Sequence, residues 1–196
     1  MTGTPSTTGH RTLREEWAHF SVTQLCDVCC PSITNGNRRR DDNPTVSPSQ
    51  GTAVHRAIES VLRGETPPTE HAAVCAHATA FGTLIGGTVT AVEEPLVTPE
   101  LELIGIPDAL FQMEDGSIAV VDWKHSADIA TDATTRMEYP FDRLPRCALA
   151  RYALQVSLYG RLLERFHQRQ VSALFVCNVR TGRSYDLPYL RLEADF

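Results

Sequence analysis

Apolar positions recur along this chain at two periods. Val54, Ile58, Val61 and Leu62 fall at helical spacing, so "GTAVHRAIESVLRG" predicts a helix from about Thr52 to Arg63. A second helix is expected from about Glu70 to Leu84, capped by Thr69 and closed by Gly86 and Gly87. Upstream, "SVTQLCDVCC" predicts a short helix, with Ser21 and Gln24 as a capping box and Pro31 as its stop. Past Gly87 the pattern changes. "TVTAVEEPLV", "LELIGIPDALFQM" and "SIAVVDWKH" read as strands. A segment from Asp128 to Pro145 reads as mobile. A long helix is then expected from about Leu149 to Gln168, and "VSALFVCNV" as a final strand. No internal repeat is visible. Helices, a strand meander, a long helix and a strand argue for one α/β domain with a mixed central sheet flanked by helices.

The 196 residues suffice for one domain with a sizeable core. Hydrophobic residues at 42% and charged residues at 21% are ordinary for a globular protein. Residues 1–20 are polar and expected to be flexible, which leaves 21–196 for the domain. No run approaches a membrane-spanning length, and no apolar block marks a secretory signal. Arg11 and Arg14 faintly resemble a transit peptide, but Glu15 and Glu16 argue against one. An intracellular setting follows, with cytoplasm, nucleus and mitochondrion not distinguished. The formal net charge of −6 argues against a non-specific nucleic-acid coat. It does not exclude a nucleic-acid enzyme, because a metal reverses the local sign of the carboxylates that hold it. Cys26, Cys29 and Cys30 in "CDVCC" contain half of a zinc site, yet no second pair follows, so buried thiols are the plainer reading.

The stretch "IGIPDALFQMEDGSIAVVDWKHS" raises the chemical question. Asp108, Asp122 and Lys124 interrupt what otherwise reads as a buried hairpin, and charges in an apolar sheet are costly unless paired or bound to a metal. "EDG" suits a three-residue loop, a type I turn with Gly116 in the left-handed region. Met113 then faces Ser117, paired residue numbers sum to 230, and Asp108 falls opposite Asp122 with Lys124 on the same face. A two-residue Asp-Gly turn would put the aspartates on opposite faces. The first register is preferred because it accounts for the charges together. It places Ile104, Ile106, Leu110, Ile118 and Val120 on that face, and Phe111, Ala119, Val121 and Trp123 on the other. Pro107 cannot donate to the ladder, so a bulge or bend is expected there. Two converging carboxylates suit Mg²⁺, and Lys124 could orient a water or neutralise a developing oxyanion. The ordinary alternative is a buried Asp–Lys ion pair. His55, beside the apolar stripe of its helix, and Gln155 and Tyr159, four apart on the last helix with Tyr152 one turn earlier, are the other polar groups of interest.

In order, "GTAVHRAIE", "AVEEPL", "GIPDAL", "VVDWKHS" and "YALQVSLYGRLLE" resemble the motifs of the PD-(D/E)XK nuclease superfamily. The branch is that of the RecB-like exonucleases with a QxxxY motif, nearest in pattern to the mitochondrial genome maintenance exonuclease and related viral and phage exonucleases. "SVTQL" and "ALFVCNVRTG" are similar too, so the likeness covers roughly Ser21 to Arg183. The resemblance implies a restriction-endonuclease-like core and hydrolysis of DNA phosphodiesters with Mg²⁺ or Mn²⁺. The setting it implies is replication, recombination or repair. It implies that His55, Asp108 and Asp122 are metal ligands, joined by the backbone carbonyl of Trp123, and that Asp108, Asp122 and Lys124 are catalytic. Glu93 matches an acidic position near the site, with Glu94 beside it as a competitor. Gln155, Tyr159 and Tyr152 belong to the motif helix that packs against the site and touches DNA.

The cysteines do not follow the spacing of the iron–sulfur relatives, so no cluster is expected. The implied partner is DNA with a single strand or free end. No helicase segment is present, so a helicase or another replication or recombination protein is an expected partner. Arg38, Arg39 and Arg40, in a loop over 34–49, are candidate phosphate contacts, as are Arg143, Arg146 and Arg151. Tyr139, Phe141 and Tyr152 are candidates for stacking on bases. A silent nucleic-acid-binding module on the same fold is the competing expectation.

Overall fold

The computed structural model describes residues 20–30 and 48–190. The expected N-terminal tail, most of the loop over 34–49 and Arg38, Arg39 and Arg40 lie outside the described residues. The chain is α/β, with a five-stranded mixed sheet flanked by helices. The strands are β1 (Phe20–Ser21), β2 (Thr88–Val92), β3 (Leu96–Thr98), β4 (Leu103–Gly105), β5 (Ala109–Gln112), β6 (Ile118–Lys124), β7 (Val171–Asn178) and β8 (Arg183–Asp186). The helices are α1 (Val22–Cys29), α2 (Pro48–Leu62), α3 (Ala72–Ile85) and α4 (Ala148–Phe166). The main sheet has the order β2-β5-β6-β7-β8, and only β6 and β7 run parallel. Among the described residues no helix is long and apolar enough to cross a membrane.

The hairpin takes the register set by its loop. Ala109 pairs with Val121, Leu110 with Val120, Phe111 with Ala119 and Gln112 with Ile118, each pair summing to 230. Gly116 has φ +83°, a conformation costly for any residue with a Cβ. Its N–H donates to Met113 O at 3.0 Å, and Met113 N–H donates to Ser117 O at 2.9 Å. β6 is buried on both faces, as a central strand next to a parallel neighbour should be. Leu110, Ile118 and Val120 pack with Leu154, Leu158 and Leu162 of α4. Ala109, Phe111, Val121 and Trp123 pack with Val54 and Ile58 of α2 and Phe81 of α3. Phe81 meets Trp123 edge-on, with ring centroids 5.8 Å apart.

Two expected strands are each split. "LELIGIPDALFQM" breaks between Gly105 and Ala109, and "TVTAVEEPLV" breaks between Val92 and Leu96. Their outer halves, β4 and β3, pair with each other in a separate three-stranded sheet, in which β4 also pairs with β1. Ile104 and Ile106 therefore do not extend the face of Leu110. They line a small cavity of about 80 Å³ with Ser21, Val22, Thr23 and Tyr159. The physical cause is Pro107, which has no N–H for the ladder. The two breaks lie side by side, where Glu93 N–H donates to Asp108 O at 3.1 Å. Glu93 itself has φ +52°, an uncommon conformation for a non-glycine residue.

The helices depart from expectation at their starts. The capping box of Ser21 and Gln24 is formed at both hydrogen bonds. α2 begins at Pro48, four residues early, since proline is tolerated in a first turn. Thr69 is not the cap of α3. It opens a short 3₁₀ turn, Thr69–His71, and α3 starts at Ala72 with no side-chain cap. Gly86 does close α3 in the left-handed conformation, at φ +67°. The segment expected to be mobile is pinned. Ile129, Met137 and Phe141 are buried in the core beside α4, and Met137 N–H donates to Leu144 O at 3.0 Å. All six cysteines are free thiols and buried, and burial pushes Cys26 up to about 12.

Gly105 sits where the small sheet meets α4. A Cβ there would lie 2.8 Å from Tyr159 Cδ1 and 2.9 Å from Leu162 Cδ1, both on buried side chains. We expect Gly105→Ala to destabilise the fold by about 1–3 kcal/mol through overpacking. A urea titration reads this as a lower midpoint, and an unchanged midpoint would refute the close contact.

Candidate metal centre

The two strand breaks, the end of β6 and one face of α2 bring the charged groups together. Asp108 lies between Pro107 and the start of β5. Its Oδ2 accepts a 2.6 Å hydrogen bond from the Trp123 N–H, and its Oδ1 lies 3.5 Å from His55 Nδ1. His55 comes from α2, next to Val54, whose burial against the sheet fixes the helix face. Glu93 arrives from the end of β2. One ligand atom from each of His55, Glu93 and Asp108 lies within 4.8 Å of the others, so these three residues form a group that could hold a metal ion. Glu93 is half-buried and Glu94 exposed, so the competition between them goes to Glu93.

Asp122 and Lys124 form a second pair beside the first group. Asp122 Oδ2 lies 2.6 Å from Lys124 Nζ, with side chains only 3% and 19% exposed. Asp122 Oδ1 accepts a weak 3.4 Å hydrogen bond from Gln155 Nε2, which also donates to the Tyr159 hydroxyl at 2.9 Å. The three-residue group takes in His55 and Asp108 of the expected ligands together with Glu93, and Asp122 stands beside it in contact with Lys124 and Gln155. Trp123 meets the site through its backbone N–H, while its ring points to the opposite layer of the core. Gln155 and Tyr159 do reach the site, and "SVTQL" reaches Tyr159 through the side chain of Thr23.

The electrostatics follow from crowding. Burial pushes Glu93 up to about 8, with Asp108 and Glu59 adding repulsion. Burial opposes charge on Asp108, but the hydrogen bond and charge of His55, the charge of Lys124 and the Trp123 N–H together outweigh it and hold the carboxyl below its usual range. Asp122 is raised by burial, which Lys124 offsets only in part and Asp108 reinforces. Burial acts against charge on His55 and on Lys124 as well. Asp108 nevertheless raises His55, and Asp122 with Asp108 raises Lys124, which is therefore an ammonium.

The candidate DNA contacts divide. Arg151 is buried and ion-paired with Asp27 of α1, so its guanidinium is not offered to a phosphate. Arg146 pairs with Glu138 at 2.9 Å. Arg143 is exposed. Phe141 is a core residue, which corrects its expected stacking role, whereas Tyr139 is 86% exposed. Tyr152 is half-buried with Lys124 Nζ 4.7 Å from its ring centroid. Composition held a signal that pattern reading passed over. Of the 18 lysine and arginine residues, Lys124 is the only lysine. A compact, three-donor ammonium is retained at this one position.

Glu93 gives the site a pH signature. Below about pH 4 it is protonated in both the folded and the unfolded chain. As pH rises towards about 8 the unfolded chain releases the proton first, so this group lowers folded stability across that window. We expect Glu93→Gln to raise the Tm of the chelator-treated protein by several degrees at pH 7.5 and to leave it unchanged at pH 4. Differential scanning calorimetry at the two pH values checks this, and an equal shift at both would remove the crowding argument. A scan against family models and a search of curated proteins gave no match for this chain, so its chemistry is read from the cluster itself.

Proposed function

We propose that the protein is a divalent-metal-dependent nuclease hydrolysing DNA phosphodiester bonds, an exonuclease acting on single-stranded DNA or DNA ends in replication, recombination or repair. The supporting observation is the convergence of His55, Glu93 and Asp108 beside the buried Asp122–Lys124 pair. The two carboxylates suit a hard divalent ion such as Mg²⁺ or Mn²⁺, and the imidazole favours the softer Mn²⁺ of the two. The donor set fits such an ion because burial first, and then the neighbouring carboxylates, disfavour charge on Glu93, and a divalent cation among them would favour that charge. His55, Glu93 and Asp108 would hold it, with Asp122 and the Trp123 carbonyl completing the set. Bound there, the ion supplies Lewis-acid stabilisation of a phosphoryl oxygen and lowers the pKa of a nearby water.

The chain's own groups have separate tasks in this reading. Asp108 is aimed by the Trp123 N–H, which fixes one oxygen and leaves the other towards His55. Lys124 is an ammonium and so is no proton acceptor as it stands. Its task is to donate hydrogen bonds to the attacking water or to the charge that builds on the phosphoryl oxygens. Gln155 holds Asp122 and is itself bonded to Tyr159, so α4 sets the orientation of that carboxylate.

Asp122→Ala and Lys124→Ala are each expected to lower cleavage of end-labelled single-stranded DNA by about 10²- to 10³-fold, the scale of losing a charge-stabilising group. Both variants should keep a cooperative thermal transition. Chelation should abolish the activity, and Mg²⁺ or Mn²⁺ should restore it. A Lys124→Ala protein that cuts at the wild-type rate would refute the chemistry. Divalent-ion binding by calorimetry without cleavage would favour a silent binding module, and no binding would favour a structural ion pair. Stepwise shortening of the labelled strand, abolished by blocking its end, identifies an exonuclease.

A further inference from the structure

Tyr152 is the residue whose expected role the structure changes most. As a base-stacking platform its ring face should be open. Instead Lys124 Nζ lies 4.7 Å from the ring centroid, and the Arg151 guanidinium lies 6.0 Å from it. The side chain is half-buried and packs against the core on the α4 side of the sheet. Tyr152, Gln155 and Tyr159 are spaced at helical turns on one side of α4. That face presents a ring to Lys124 and an amide to Asp122. Arg151 is anchored in turn by Asp27 of α1. A contiguous chain of contacts thus runs from Asp27 through Arg151 and Tyr152 to Lys124.

We propose that Tyr152 is a positioning residue that holds the Lys124 ammonium at the site by a cation–π contact and does not stack on a DNA base. The inference rests on the nuclease reading for its catalytic consequence, but the contact itself does not. The need for it follows from the competing partners of Asp122. In this arrangement Asp122 is the carboxylate closest to Lys124, at 2.6 Å. If Asp122 turns its oxygens to a cation, Lys124 loses its main electrostatic anchor. A four-carbon stem with free rotors then has many other conformations. The electron-rich face of Tyr152 keeps the ammonium in place while its N–H donors are freed for substrate. A neutral ring does this without the strong charge pairing that a second carboxylate would impose.

The uniqueness of Lys124 makes the contact directly visible. Protein grown with [¹³C]lysine gives a single set of lysine side-chain signals, because the chain has one lysine. We expect the ε-CH₂ proton signal to lie upfield of free lysine through the ring current of Tyr152. It should return towards the free value in Tyr152→Leu and stay displaced in Tyr152→Phe, which keeps the ring and loses only the hydroxyl. An ε-CH₂ signal identical in wild type and Tyr152→Leu would overturn the contact, whether or not the protein cuts DNA. In turnover, Tyr152→Leu should lower kcat by roughly 5- to 30-fold, the scale of one desolvated cation–π contact, with KM for single-stranded DNA within twofold of wild type. Tyr152→Phe should recover most of kcat. A rise in KM with kcat intact, or a loss that disappears on an oligonucleotide abasic near the cut, would overturn the proposal in favour of base stacking. Wild-type protein with no metal-dependent cleavage would refute the nuclease reading alone, since the lysine signal still decides the contact.

Discussion

Asp108 is the hinge on which this site is built. One carboxylate oxygen accepts the Trp123 N–H, the next residue along β6 from Asp122. The other faces His55 on α2. Its main-chain carbonyl accepts the N–H of Glu93. A single residue after a proline therefore ties the central hairpin to a helix on one side and to the end of β2. The proline is the reason these groups are available. Pro107 breaks the strand, and the broken ladder leaves a side-chain carboxylate where a main-chain acceptor would otherwise lie.

The charges at this place are arranged to be unstable as a set and tolerable in pairs. Lys124 answers Asp122, and His55 answers Asp108. Glu93 is left as the surplus carboxyl, and burial with its acidic neighbours raises its pKa to about 8. A scaffold ion pair needs no third carboxyl close by, and burying one without a partner is costly. The surplus argues for chemistry more strongly than the Asp–Lys pair does, because the pair by itself is also what a structural ion pair looks like. Glu93 adds a second cost, its left-handed backbone, and strain of this kind concentrates at functional sites.

α4 makes the arrangement specific. Its apolar residues bury one face of the sheet, while Gln155, itself bonded to Tyr159, meets Asp122 and Tyr152 meets Lys124. Gly105 lets the small sheet approach Tyr159 and Leu162 more closely than any side chain would permit. Position of the helix and orientation of the charged groups are thus set by the same packing. Charge on one end of the Tyr152 contact and the ion pair of Arg151 with Asp27 extend that control to α1.

Much of this was legible in the chain because it depends on neighbours in sequence. Loop length and Gly116 fix the hairpin register, and the register fixes which of Asp108, Asp122 and Lys124 share a face. Ser21 and Gln24 close a cap over three residues, and Gly86 ends α3, for equally local reasons. What the sequence could not decide depends on distant partners. Both halves of "LELIGIPDALFQM" have strand character, and only pairing with β1 and β3 assigns Leu103–Gly105 to another sheet. Glu93 and Glu94 are alike as residues, and the path of β2 past Asp108 separates them. Arg151 and Phe141 look like surface contacts until α1 and the core cover them. Periodicity and turn chemistry act over a few residues, whereas burial and ion pairing are settled by whichever segments the fold brings within a few ångströms, and a linear pattern carries no record of that choice.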